Sequence, residues 1–162
     1  MTCCFTGHRP GRLPAGKELQ DLKIRLAGEI LRLINERGVT RFITGMALGV
    51  DTMAADIVLT LKAVYPFVTL EAAVPCKGQE KNWSEKDKAH YKSILESCDR
   101  VEILSESYCR GCMQMRNAYM VNEADIVLAV WDGGKGGTAN TVNTAKKLRK
   151  ELILLPPNVD SR

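Results

Sequence analysis

The chain has 162 residues, 45% of them hydrophobic and 26% charged, with a formal charge of +4 at pH 7. That length suits one domain burying roughly two-thirds of the surface its unfolded form exposes, and no apolar run approaches the ~20 residues of a membrane-spanning helix. The positive balance favours anionic partners without separating a phosphate ligand from a nucleic acid. The start MTCCFTGHRP lacks the basic-then-apolar order of a signal peptide, so a cytoplasmic protein is expected.

Residues 1–6 read as a strand that ends at TGHRPGRLP, a turn rich in glycine and proline. Leu19, Leu22, Leu26, Ile30 and Leu33 recur at steps of three and four, which predicts an amphipathic helix closed near Gly38. TRFITG is the second strand, and the glycine-rich GMALGVD leads into a helix from about Leu48 to Val64. FVTLEAAVP is the third strand, and Pro75 opens a polar loop that runs through Trp83. Ser84 with Asp87 resembles a capping box, and Tyr91, Ile94 and Leu95 give the next helix its apolar side. RVEILS, a short helix over MQMRNAYMVNE, DIVLAVWD, a helix over 138–150 and the strand ELILLPP complete the chain.

Strands alternating with helices predict an α/β fold: a Rossmann-like three-layer sandwich, mostly parallel, with helices on both faces, spanning residues 1–162 as a single domain. In such a sheet, ligands bind at the carboxyl ends of the strands, where strand order reverses. The first strand exits into Thr6, Gly7, His8 and Arg9, the second into Thr44, Gly45, Gly49 and Asp51, and the fifth into Asp132 and its glycines. Gly45 and Gly49 precede a helix, where missing side chains would let a phosphate reach free N–H groups at the positive helix end. The same pair also suits a plain strand-to-helix turn. Gly133, Gly134 and Gly137 form a second such turn, and Thr44 and Thr138 add hydroxyls. Neither turn has Walker A or GxGxxG spacing, which disfavours ordinary P-loop hydrolysis and hydride transfer.

Taken together, TGHRP, TGMALGVD, PCKGQEKNW and ADIVLAVWDGGKGGT resemble, in this order and over essentially the whole chain, the YpsA-like family. That family lies in the SLOG superfamily of Rossmann-like proteins, which also holds the DNA-processing protein DprA and the LOG enzymes. The LOG enzymes are phosphoribohydrolases that release a base from a nucleoside monophosphate. The resemblance matches Arg116 in MQMRNAYM to the arginine those enzymes use, and Gly133, Gly134, Gly137 and Thr138 to their PGGxGT turn with one extra residue. Their glutamate falls near Thr141, which cannot do a carboxylate's work.

Glycosidic cleavage passes through a cation-like sugar, which a neighbouring carboxylate stabilises. Asp132 is one candidate, with a turn cap as its other reading, and Glu80 is another if its loop folds over the pocket. Trp83 either stacks on a base or staples its loop to the following helix. CRGC, residues 109–112, lacks a second half of a zinc site, and the cysteines read as reduced thiols; no metal and no cofactor are expected.

The leading expectation is a module that binds a nucleotide-derived small molecule through glycine amides, with Arg9, Arg116 and Thr138 on phosphate oxygens. A phosphoribohydrolase using Asp132 or Glu80 is the alternative. Single-stranded DNA binding ranks last, because aromatic residues make up only 6% of the chain and basic residues form no run. Self-association as a homo-oligomer is expected, with Met113, Met115 and Met120 as a candidate face.

Overall fold

The computed structural model describes residues 1–159. In chain order the elements are β1 (Thr2–Gly7), a turn of 3-10 helix (Pro10–Arg12), α1 (Gly16–Arg37), β2 (Arg41–Thr44), α2 (Val50–Lys62) and β3 (Thr69–Val74). They continue with α3 (Glu85–Ser97), β4 (Arg100–Ile103), α4 (Cys112–Glu123), β5 (Ile126–Val130), α5 (Gly137–Lys147) and β6 (Glu151–Leu155).

All six strands join one sheet in the order β4-β3-β2-β1-β5-β6. Every adjacent pair is parallel, so the expectation of a mostly parallel sheet is met in full. Alternation along β1 sorts the side chains. Cys3 and Phe5 enter the larger core with Leu22, Leu26 and Ile30 of α1 and Ala54, Ala55 and Val58 of α2. Cys4 enters a smaller core with Met120 and Val121 of α4 and Ala145 of α5. Helices therefore cover both faces, which gives the three-layer, Rossmann-like α/β sandwich.

Two element ends and one strand interior stand out against the sequence reading. The last helix stops at Lys147 rather than residue 150, because Arg149 turns to a φ of 55°. The third strand begins at Thr69, leaving Phe67 outside it and 58% exposed. The third strand is also not wholly apolar: Glu71 is buried within it, taking hydrogen bonds from Arg41 (Nη2, 2.5 Å) and from the Tyr119 hydroxyl (2.5 Å). No helix among the described residues is long and apolar enough to cross a membrane.

The chain steps outward from β1 to β4 and then returns to place β5 on the other side of β1. This reversal leaves a crevice at the carboxyl ends of β1 and β5, where Gly7 lies beside Val130.

Candidate functional site

A cavity of about 280 Å³ opens at that crevice. Its floor is the end of β1, and its walls are the turn after β2, the first half of α4 and the first turn of α5.

The turn after β2 holds itself together with its own polar groups. Thr44, fully buried, donates its hydroxyl to the Asp51 carbonyl (2.8 Å) and accepts from Met46 N (3.3 Å). Asp51 Oδ2 accepts from Ala47 N (3.2 Å). Gly49 has a φ of 105°, and a Cβ there would lie 2.4 Å from the His8 carbonyl oxygen. It is glycine because the first loop passes directly against it. Val50 N in turn donates to that same carbonyl (3.2 Å), so this close approach locks the start of α2 to β1.

Arg116 projects from α4 and is 5% exposed. Its Nη1 donates to the Gly45 carbonyl oxygen, its Nε to Asn117 Oδ1 (2.7 Å) and its Nη2 to the Met113 sulfur at 3.9 Å. A thioether is a weak acceptor, so one strong donor of this buried, cleft-lining guanidinium is only weakly paired. Gly45 stands between Arg116 and Asp51: a Cβ on it would meet Arg116 Nη1 at 2.7 Å and Asp51 Oδ2 at 2.8 Å. Burial pushes the Asp51 carboxyl up from its ordinary range against the opposing pull of Arg116, the Ala47 amide and Arg9. Burial likewise pulls Arg116 down, with Asp51 opposing. Arg9 and Arg12 line the same cavity, which therefore carries more positive than negative charge.

The glycine loop after β5 is tied down by its first residue. Asp132 Oδ1 accepts from Gly134 N (2.8 Å), and both carboxylate oxygens lie 3.0 Å from Arg12 Nη2. The Gly134 amide and the Arg12 guanidinium hold this carboxyl below its usual range. Arg12 Nη1 also donates to the Lys135 carbonyl (3.0 Å). From behind, the buried His8 accepts the Asp132 N–H on Nε2 (3.1 Å), and burial lowers its pKa, so the ring is neutral with its proton on Nδ1. Beyond the loop, α5 starts at Gly137 with no side-chain cap, and Gly137, Thr138 and Asn140 of its first turn line the cavity.

The fold thus brings Thr6, Gly7, Arg9, Asp51, Arg116, Gly137 and Thr138 to one cavity. Thr44, Gly45 and Gly49 build the wall behind it. Asp132, Gly133 and Gly134 belong to the loop beside it, with Asp132 acting as a turn cap. Glu80 and Trp83 are not among the lining residues. Trp83 packs edge-on against Tyr91, ring centroids 5.3 Å apart, and so pins its loop to α3. Ser84 caps that helix by accepting from Asp87 N (3.1 Å).

Sequence reasoning missed Arg12, Gln114, Asn117 and Asn140, which also line the cavity. Arg12 was legible as the second arginine of the HRPGR turn. Asn117 and Asn140 sit one and two positions from Arg116 and Thr138, but nothing in their spacing separates them from surface amides. The three methionines do not share a face: Met113 lines the cleft, Met115 is exposed and Met120 lies in the core. Among the described residues no group of three His, Cys, Asp or Glu side chains is placed to hold a metal ion.

The family model YpsA, described as the YspA SLOG family, matches residues 3–152. The chain belongs to this family. Among relatives of this YpsA-family chain, the SPbeta prophage-derived protein YoqJ of Bacillus subtilis (strain 168), itself named uncharacterized, is 38% identical over 151 residues. That match covers 85% of this chain and 88% of YoqJ. Among solved structures, DprA from Streptococcus pneumoniae superposes with a TM-score of 0.66 at 16% identity, covering 99% of this chain. DprA from Helicobacter pylori, described for its single-stranded DNA binding mode, gives 0.64 at 21% identity over 99% of this chain. At these identities the likeness is one of fold. The YpsA-family chain spans 52% of the pneumococcal DprA chain and 67% of the Helicobacter one.

Proposed function

We propose that this chain is a cytoplasmic module that binds a nucleotide or nucleotide-derived anion in the cleft between β1 and β5 and holds it without cleaving it. The observation that carries this reading is Arg116, buried and lining the cleft, with its Nη2 paired only with a thioether among the described residues. A guanidinium in that state gains a strong charge-assisted partner when a phosphate oxygen arrives. The uncapped first turn of α5, with the Thr138 hydroxyl, supplies further donors on the opposite wall. Asn117 and Asn140 add amide groups suited to sugar hydroxyls or a base edge.

Cleavage has weaker support. Thr141 stands where the LOG enzymes have their glutamate, and its hydroxyl is bonded to the Gly137 carbonyl (3.1 Å). Asp132 already accepts from Gly134 and Arg12, and Glu80 lies off the cavity lining. The DprA likeness keeps single-stranded DNA as a competitor ligand.

The test is a thermal-shift screen with nucleoside monophosphates, NAD, ADP-ribose, cyclic dinucleotides and an oligonucleotide, followed by chromatography of each hit. A ligand at a hundred times its Kd stabilises by about 2.7 kcal/mol, which such a screen resolves. The expected result is a stabilising mononucleotide-type ligand recovered intact, whose effect disappears in Arg116→Met. Free base would establish the hydrolase instead. Stabilisation by the oligonucleotide alone, falling steeply with salt, would establish the nucleic-acid reading.

A further inference from the structure

The outer edge of the sheet at β4 carries a pattern that the cleft does not explain. Among the described residues β4 has one strand neighbour, β3, and its other edge is open. Val101 and Ile103 are 39% and 42% exposed, although their register partners on β3, Ala72 and Val74, are buried in the larger core. On the other face of the same strand, Arg100 and Glu102 form an exposed pair, Nη2 to Oε2 2.9 Å.

We infer that this edge is an interface with a second copy of the chain, paired antiparallel about Val101, so that Arg100 of each copy faces Glu102 of the partner subunit. The interface is independent of the proposed ligand.

The register follows from three constraints. Leu104 N donates to the Val74 carbonyl, and in a parallel ladder inward residues alternate, so Arg100 and Glu102 direct their backbone groups to β3 while Val101 and Ile103 direct theirs outward. A two-fold axis perpendicular to the sheet keeps each face on its own side, so opposed residues must share a face. Four registers centred within the strand then remain, and pairing about Ile103 sets Glu102 against Leu104, which leaves it without a charged residue directly opposite. Pairing about Arg100 sets arginine on arginine, and pairing about Glu102 sets glutamate on glutamate. Pairing about Val101 sets Arg100 against Glu102 twice, in the close, non-hydrogen-bonded positions where cross-strand charges act most strongly. In that register the two Val101 residues exchange backbone hydrogen bonds and meet across the axis, while Ile103 lies opposite Asp99 of the partner subunit. Charges usually blunt a short edge strand against pairing; here they alternate in sign and select one antiparallel partner.

Sedimentation equilibrium over a wide concentration range tests this. The expected result is a reversible monomer–dimer equilibrium. Val101→Pro removes an outward N–H that β3 does not use, so it should leave a folded monomer with an unchanged circular dichroism spectrum. Glu102→Arg should weaken the dimer about tenfold by facing like charges twice, and the double exchange Arg100→Glu with Glu102→Arg should restore it. A wild-type chain that stays monomeric at the highest concentration overturns the proposal. So does a dimer that survives Val101→Pro, which would place the contact on another surface. A charge exchange that fails to restore association overturns the register.

Discussion

Arg116, on α4, donates its Nη1 to the carbonyl oxygen of Gly45, seventy-one positions earlier in the chain, and thereby ties the α4 wall of the cleft to the turn after β2. The contact exists because residue 45 has no side chain: a Cβ would sit 2.7 Å from that same nitrogen and 2.8 Å from Asp51 Oδ2. Gly45→Ala must therefore drive the guanidinium tip into the cleft. The displaced atoms are ends of flexible side chains, so the stability cost should be small, about 1 kcal/mol. Binding of whichever nucleotide the screen identifies should fall by at least about tenfold, the equivalent of one charge-assisted hydrogen bond. Calorimetric titration beside urea unfolding separates the two effects, and equal losses of affinity in a variant that is largely unfolded would count against the argument.

The glycine loop depends on Arg12, a residue outside it. Arg12 Nη2 reaches both oxygens of Asp132 and Nη1 reaches the Lys135 carbonyl, so one guanidinium fixes both ends of the turn. Arg12→Ala should leave the global fold intact and open the loop locally. Lys135 is itself a trypsin site, which makes the opening measurable: cleavage after Lys135 should accelerate about tenfold under native conditions, with other sites unaffected. An unchanged cleavage rate would mean that the Asp132 to Gly134 turn holds the loop without Arg12.

Most of the fold was legible because its signals are local. The leucine spacing of α1 and the glycines that end strands each lie within a few residues of one another, and the helix–strand alternation dictates the parallel sheet. The candidate site was legible to the extent that it sits at strand ends: Arg9, Asp51, Arg116 and Thr138 were all named from sequence and meet in one cavity. What remained hidden is set by distance along the chain. The partner of Asp132 is Arg12, 120 positions away, and no pattern around either residue announces the pair. The role of Glu71 was hidden for the same reason, because its partners Arg41 and Tyr119 lie 30 and 48 positions away. Thr44 misled: its place at a strand end suits a phosphate contact, but its hydroxyl is occupied by Asp51 and Met46 of its own turn.

His8 couples the loop to pH. Burial lowers its pKa below the ordinary 6.5, so the folded protein binds fewer protons at this ring than the unfolded chain does. Stability then rises with pH through that interval, and acidification from above 6.5 towards the lowered folded value removes stability progressively. The geometry gives the cause: neutral Nε2 accepts the Asp132 N–H, and a protonated ring has to give up that bond in exchange for Asp132 Oδ1, 3.2 Å away. Urea unfolding at pH 7.5 and 5.5 should show the wild type losing more stability on acidification than His8→Gln. Parallel losses in the two proteins would assign the pH dependence to other groups.

Among the described residues, Glu71 is the one buried carboxylate held wholly by the sheet and α4 rather than by the cleft. Arg41 reaches its Oε2 through Nε (3.0 Å) and Nη2 (2.5 Å), and Tyr119 donates to Oε1 at 2.5 Å. Burial and this carboxylate together push the Tyr119 phenol up to about 12. Glu71→Ala leaves the Tyr119 hydroxyl without its acceptor and Arg41 with Glu123 alone, 3.1 Å away on the rim. Removing one member of a fully buried pair costs about 3–5 kcal/mol, but Arg41 is partly solvated and keeps its second partner, so about 2 kcal/mol is expected here. Glu71→Leu, which fills the volume without a charge, should be destabilised no more than Glu71→Ala despite lacking every hydrogen bond. In both variants the Tyr119 phenol should titrate lower than in the wild type, since a raising influence is gone, and ultraviolet titration of the tyrosines would detect it. The cleft lies at the carboxyl ends of the strands and does not include Glu71 among its lining residues, so nucleotide affinity in the folded fraction should be unchanged. A parallel loss of affinity would show that the sheet transmits strain from β3 to the turn after β2.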